Sequence, residues 1–162
     1  MNDANDQFLR EITARAELLK HIFGQAFDKL DEELRCQLQT MPLRQLEKIY
    51  SKLRKLGIPD EKIVSSPMLL DRDPAIMQRS YNFLVKAGFS QQFIVKNAEM
   101  ICLNPNLLEN PDFLGKLRRM YKSQSPIPEG DVMRTADLVW KRSREKTPVS
   151  PARLLNRRTS IG

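Results

Sequence analysis

Two stretches of this chain end a helical run and restart it in the same way, and that repetition limits what the chain can fold into. One reads LRKLGIPDEKI from Leu53 to Ile63, the other LVKAGFSQQFI from Leu84 to Ile94. Leu53 and Leu84, Gly57 and Gly88, and Ile63 and Ile94 are all separated by one and the same interval. A glycine at the end of an apolar 3.6-residue periodicity stops a helix, because it takes a left-handed conformation without steric cost. Each stretch then reaches a P-x-L-L sequence, Pro67-Met68-Leu69-Leu70 and Pro105-Asn106-Leu107-Leu108. These lie further apart than the glycines do, so the second unit is expected to be seven residues longer in its middle. Asp73-Pro74 and Asn110-Pro111 launch the return helices, with Asp or Asn as cap and Pro at the first helical position. A weaker third start lies at Ile127-Pro128-Glu129. Such a unit cannot bury its apolar face alone, so neighbours must stack. The expected fold is all-α, a short α-solenoid.

Helical spacing extends over most of the chain. Phe8, Leu9, Ile12, Ala16, Leu19 and Phe23 share one face of a helix expected over 5–23, with Gly24 as its stop. A second helix is expected over 25–39, with Phe27, Leu30, Leu34 and Leu38 aligned and Asp28, Asp31, Glu32 and Glu33 favouring its N-terminal end. Thr40 is expected to cap a third helix with Pro42 in its first turn, running through Leu46, Ile49 and Leu53 to Gly57. Ser90 caps a short helix carrying Phe93, Ile94, Ala98 and Ile101. A last helix is expected over 129–144, with Val132, Met133, Ala136, Val139 and Trp140 inward. The reading is an N-terminal helical segment over 1–57, a helical-repeat region over 53–142 packed on it as one domain, and a basic tail over 145–162. Hydrophobic residues make up 41% of the chain, enough for a core and too many for wholesale disorder.

Leu84, Gly88, Phe89, Ser90 and Ile94, followed by Asn104, Pro105, Leu107 and Leu108, resemble the repeat of the mTERF family, the mitochondrial transcription termination factors. Leu53, Gly57, Ile58 and Ile63 resemble the same opening, with Ser66 before Pro67 where the family has Asn. The resemblance covers about residues 53–121. It implies a right-handed helical solenoid that binds nucleic acid along a basic concave face.

The charge is placed to suit that expectation. The net charge is +7, but residues 1–50 carry 7 basic and 9 acidic side chains, while residues 138–162 carry 7 and 1. Lys52, Arg54, Lys55 and Lys62 cluster around the first glycine turn; Lys86 and Lys96 surround the second; Lys116, Arg118, Arg119 and Lys122 come late in the Asn110 helix. Lys55 and Lys86 are separated by the same interval as the two glycines, so stacked units would align them on one edge. The expected phosphate contacts are Lys52, Lys55, Lys86 and Lys96 on that edge, with Lys141, Arg142, Arg144, Arg157 and Arg158 from the last helix and the tail. The tail also carries Thr147-Pro148, Ser150-Pro151 and Arg157-Arg158-Thr159-Ser160, which resemble kinase sites.

Enzymatic chemistry finds no foothold. One histidine, His21, stands near a helix end, and no HExxH, GxSxG, P-loop or dinucleotide fingerprint occurs. Cys36 and Cys102 have no metal-ligand spacing and are expected to be buried thiols. No cofactor is expected. No apolar run approaches membrane-spanning length, and MNDANDQF has neither a signal-peptide nor a transit-peptide pattern. A reducing intracellular compartment, cytoplasm or nucleoid/nucleus, is expected. The leading expectation is a non-enzymatic nucleic-acid-binding protein, with DNA and RNA both open. The alternative is a protein-binding adaptor or inhibitor that engages its partner through the helical groove and the tail.

Overall fold

Both glycine stops close with the same hydrogen bonds. In the computed structural model, which describes residues 3–122 and Arg134, α3 (Leu43–Lys55) ends where Gly57 takes φ +82 and α5 (Pro74–Lys86) where Gly88 takes φ +92. The Ile58 N–H bonds back to the Leu53 carbonyl and the Gly57 N–H to that of Arg54. Phe89 to Leu84 and Gly88 to Val85 repeat the pair. This is the Schellman arrangement, completed by apolar contact between the residue after the glycine and the one four before it. Leu53, Ile58, Leu84 and Phe89 are all buried.

The remaining elements are α1 (Asp3–Phe23), α2 (Glu32–Thr40), α4 (Asp60–Ser65), α6 (Gln91–Lys96), α7 (Pro105–Leu108) and α8 (Pro111–Lys122), with 3-10 turns over Gly24–Lys29, Pro67–Asp71 and Ala98–Cys102. Among the described residues all regular structure is helical. Every boundary from α3 through the Pro67–Asp71 turn recurs at the Gly57–Gly88 interval, from α5 through the Ala98–Cys102 turn. The unit is therefore a long helix, a short helix and a 3-10 turn. Even its polar hinge repeats: Ser66 and Asn97 precede the two 3-10 turns with φ −133 and −115, and both are buried.

The expected seven-residue insertion is not there. Pro67-Met68-Leu69-Leu70 corresponds to Ala98-Glu99-Met100-Ile101, whereas Pro105-Asn106-Leu107-Leu108 corresponds to Pro74-Ala75-Ile76-Met77. Pro67 and Pro105 each open a helical turn that buries two leucines, so the same string arises at non-equivalent places. Asn104-Pro105 is the true counterpart of Asp73-Pro74; Asp73 and Asn104 each accept from the backbone N–H two residues on. The third long helix is broken after Leu108, and Asn110 caps α8 through the N–H groups of Asp112 and Phe113.

Packing follows the repeat. α3 lies on α5, α3 on the Pro67–Asp71 turn, α5 on the Ala98–Cys102 turn, and the two 3-10 turns touch each other. One core runs from Leu19 to Leu117, with Leu46, Leu53, Leu70, Met77, Leu84 and Leu108 fully enclosed. Lys62 Nζ pairs with Glu99 Oε1 at 3.0 Å, and Ser66 Oγ donates to the same oxygen, tying the first unit to the second.

Three further expectations are corrected. The helix expected over 25–39 is a 3-10 turn, a break, and then α2, because Asp31 accepts from the Leu34 N–H and starts the helix there. Thr40 is not a cap but the last residue of α2; its hydroxyl donates to the Cys36 carbonyl, and Pro42 precedes α3. Cys36 is exposed, off the Leu34–Leu38 face, while Cys102 is buried.

Candidate nucleic-acid interface

Ridges of α3 and α5 leave a groove of about 680 Å³ between them. Its basic side chains are Lys48 and Lys52 from α3, and Arg79 and Lys86 from α5. On α3, Lys48, Lys52 and Lys55 follow at i, i+4 and i+7, so they project along one side, as do Arg79 and Lys86 on α5. The two helices are equivalent under the repeat. Lys48 therefore matches Arg79, and Lys55 matches Lys86. Leu46, Ile49 and Leu53 from α3, and Met77, Ser80 and Leu84 from α5, occupy the opposite side, which the core encloses. The apolar pattern that builds the core thus aims the cations outward.

The groove is polar as well as basic. Lys52 Nζ donates to Gln78 Oε1 at 3.0 Å across the two helices, and Gln78 Nε2 donates to Asn82 Oδ1 at 3.0 Å. Asp73 and Glu109 also line it, four cations against two carboxylates. Asp73 already engages Oδ1 with the Ala75 N–H at 2.7 Å. Among the described residues, Lys48, Arg79 and Lys86 are exposed and make no ion pair.

Of the expected contacts, Lys52 and Lys86 line this groove. Lys55 stands less than one turn beyond Lys52 on the same side of α3. Lys96 does not join them: it lies exposed at the end of α6, outside the groove lining. Two other members of the basic clusters are already engaged, Lys62 with Glu99 and Arg54 with Asp60 at 3.4 Å. Lys141, Arg142, Arg144, Arg157 and Arg158, together with the helix expected over 129–144, the start at Ile127-Pro128 and the tail, lie outside the described residues, Arg134 excepted. Lys48 and Arg79 were missed in the sequence, although the interval that aligned Lys55 with Lys86 aligns them equally well.

Other chemistry is sparse. Burial pushes the Cys102 thiol up to about 12, so it stays protonated at neutral pH. His21 is exposed, with its ring edge-on to Tyr50 at 6.4 Å. No group of three or more His, Cys, Asp or Glu suited to a metal ion occurs among the described residues. No described helix is long and apolar enough to cross a membrane. Comparison with protein-family models, curated proteins and solved structures found no match to this chain.

Proposed function

We propose that this chain is a non-enzymatic nucleic-acid-binding protein, a short mTERF-like solenoid whose α3–α5 edge meets phosphates, with the basic C-terminal residues adding affinity. The observation that carries the reading is the register of the cations. Lys48 and Lys55 on α3 stand at the same repeat positions as Arg79 and Lys86 on α5. A regular array of positive charge suits a polymer with regularly spaced negative charge, and a single enclosed anion would need no such repetition. Further support comes from equivalent elements of successive units touching, α3 with α5 and one 3-10 turn with the next, as stacked repeats do.

The aromatic side chains argue against base stacking as the main source of affinity. Phe89, Phe93 and Tyr121 pack on each other with ring centroids 4.9–5.5 Å apart and away from the groove, whose lining has a single aromatic side chain, the half-buried Phe83. Binding is therefore carried by phosphates and falls steeply with salt. Fluorescence anisotropy with labelled duplex DNA, duplex RNA and single strands, repeated across a salt series, tests this. The expected result is a negative linear dependence of log K on log salt, with a slope that flattens by about 1.4–1.8 when Lys48→Gln and Arg79→Gln are combined. Salt-insensitive or absent binding to every probe would transfer the groove to the adaptor reading.

A further inference from the structure

The N-terminal helix carries an apolar face that its own fold only half uses. Leu19, Ile22 and Phe23 at the C-terminal end of α1 are buried in the core. Two to three turns earlier the same face continues through Ile12, Leu9 and Phe8, which are 37%, 59% and 62% exposed. Along the C-terminal half of α1, against the Gly24–Lys29 turn, lies a hollow of about 690 Å³, lined by Ile12, Ala16, Leu19 and Phe27 together with polar side chains that include Arg15 and Lys20. One helix face thus presents an exposed Phe8–Leu9 knob and, about two turns further along, a hollow with a small residue, Ala16, in its lining.

We propose that this face pairs with a second copy of the same chain, α1 against α1, antiparallel about a twofold axis at Ile12. The placement is self-complementary. An axis through Ile12 sets Phe8 of one protomer opposite Ala16 of the other, so each knob enters the other's hollow, as an isologous contact requires. Charge agrees with that orientation. The first turn of α1 carries Asp3 and Asp6 and the last carries Lys20 and His21. Asp6 and Lys20 flank the apolar stripe on the same side, and in antiparallel pairing same-side flanks of the two helices meet. Asp6 of each protomer then comes within one turn of Lys20 of the other. A parallel twofold pairing would instead bring opposite flanks together, so Asp6 and Lys20 would not meet. On the other flank, Arg15 is already bonded to the Met41 carbonyl at 2.8 Å and Glu11 to the Leu43 N–H at 3.2 Å, which leaves the Asp6–Lys20 side to define register. The contact is small, so dimerisation is expected on the order of micromolar Kd.

The test is sedimentation equilibrium of the full chain without nucleic acid, so its outcome is independent of the phosphate reading. The mass is expected to rise with concentration from 18.8 kDa toward twice that value. Phe8→Glu, which removes the knob, and Ala16→Trp, which fills the hollow, should each weaken association at least about tenfold. Both residues are exposed in the single chain, so circular dichroism and melting at the lowest concentration should be unchanged. Asp6→Lys and Lys20→Asp should each weaken the dimer, and the double exchange should restore it. A species of monomer mass at all concentrations overturns the proposal. So does a dimer indifferent to Phe8→Glu, or a double exchange that weakens binding as the sum of its parts. A monomer whose melting temperature drops on Phe8→Glu overturns it too, and identifies a segment of the same chain as the occupant.

Discussion

Two kinds of residue decide how tightly the repeat closes. Gly88 has φ +92, and a Cβ built on it meets nothing within 4 Å. Its replacement therefore reports backbone strain alone: Gly88→Ala should cost about 1–2 kcal/mol in urea unfolding, and Gly88→Val more. At Gly57 a Cβ would also approach Gln91 Nε2 at 2.9 Å, the movable end of a flexible side chain, so Gly57→Ala should cost only slightly more than Gly88→Ala. Glu99 is the other kind. Burial alone raises its carboxyl, but hydrogen bonds from Ser66, its own backbone N–H and Lys62, with the Lys62 charge, outweigh that and hold it below the usual carboxylate range. A carboxyl depressed in the folded state contributes stability above its unfolded value, about 4.3, which is lost as pH falls through the lower folded value. Glu99→Gln should thus destabilise by about 1–3 kcal/mol near neutrality. The gap from the parent chain should narrow as unfolding is measured below about pH 4. The glycines were legible in the sequence because punctuation is local. The Glu99–Lys62 pair was not, since it joins residues far apart in the chain whose meeting depends on the stacking of two turns.

Elements show where sequence periodicity suffices and where it misleads. The spacing of Leu53 and Leu84 gave α3 and α5, α4 and α6 their correct correspondence, because helix ends and the buried side follow from glycine, cap and apolar spacing. Matching Pro67–Leu70 with Pro105–Leu108 failed for the same physical reason that it was tempting: proline opens a 3-10 turn and an α-helix alike. The turn over Ala98–Cys102 opens on alanine, so nothing local marked it as the partner of Pro67–Asp71. The corrected pairing has an energetic consequence. Leu70 and Ile101 stand at matching positions of the two 3-10 turns and are both fully buried, as are Leu46 and Met77 at matching positions of α3 and α5. Leu70→Ala should cost about 2–5 kcal/mol, and Ile101→Ala a similar amount. Because the two 3-10 turns touch, the double variant should depart from the sum of the singles by about 0.5 kcal/mol or more in a thermodynamic cycle. Strict additivity would mean that the two turns pack less intimately than their contact implies. The apolar face of α1 was legible as a face, but periodicity does not say how much of a face is covered, and the exposed Phe8 and Leu9 are the result.

For the whole molecule the proposed binding draws on two sets of cations, those of the α3–α5 edge and those of the C-terminal residues. Of the lysines that periodicity grouped on one edge, Lys52 and Lys86 line the groove, Lys55 follows Lys52 on α3, and Lys96 lies on α6 outside it, because proximity to a glycine in sequence does not fix the side of a helix on which a lysine emerges. The groove holds four cations, and deletion of 145–162 removes Lys146, Arg153, Arg157 and Arg158 with Glu145, a net three positive charges. On the proposed reading, charge outside the groove would contribute to encounter and non-specific affinity through the long-range field, which salt screens. Charge in register on α3 and α5 would contribute by meeting phosphates at set positions. The two contributions should separate in a salt series. Deletion of 145–162 should lower affinity at low salt and flatten the slope by up to about 2–3. Lys48→Gln with Arg79→Gln should flatten it by about 1.4–1.8 in either background if the two sets of contacts are independent. The groove change should also erase any preference among duplex DNA, duplex RNA and single strands that the repeated spacing of Lys48, Lys55, Arg79 and Lys86 imposes. If the deletion alone abolished binding and the groove variant left slope and preference unchanged, the C-terminal residues would account for all nucleic-acid affinity. The α3–α5 edge would then be a surface for a partner protein, whose capture should survive the salt that releases nucleic acid.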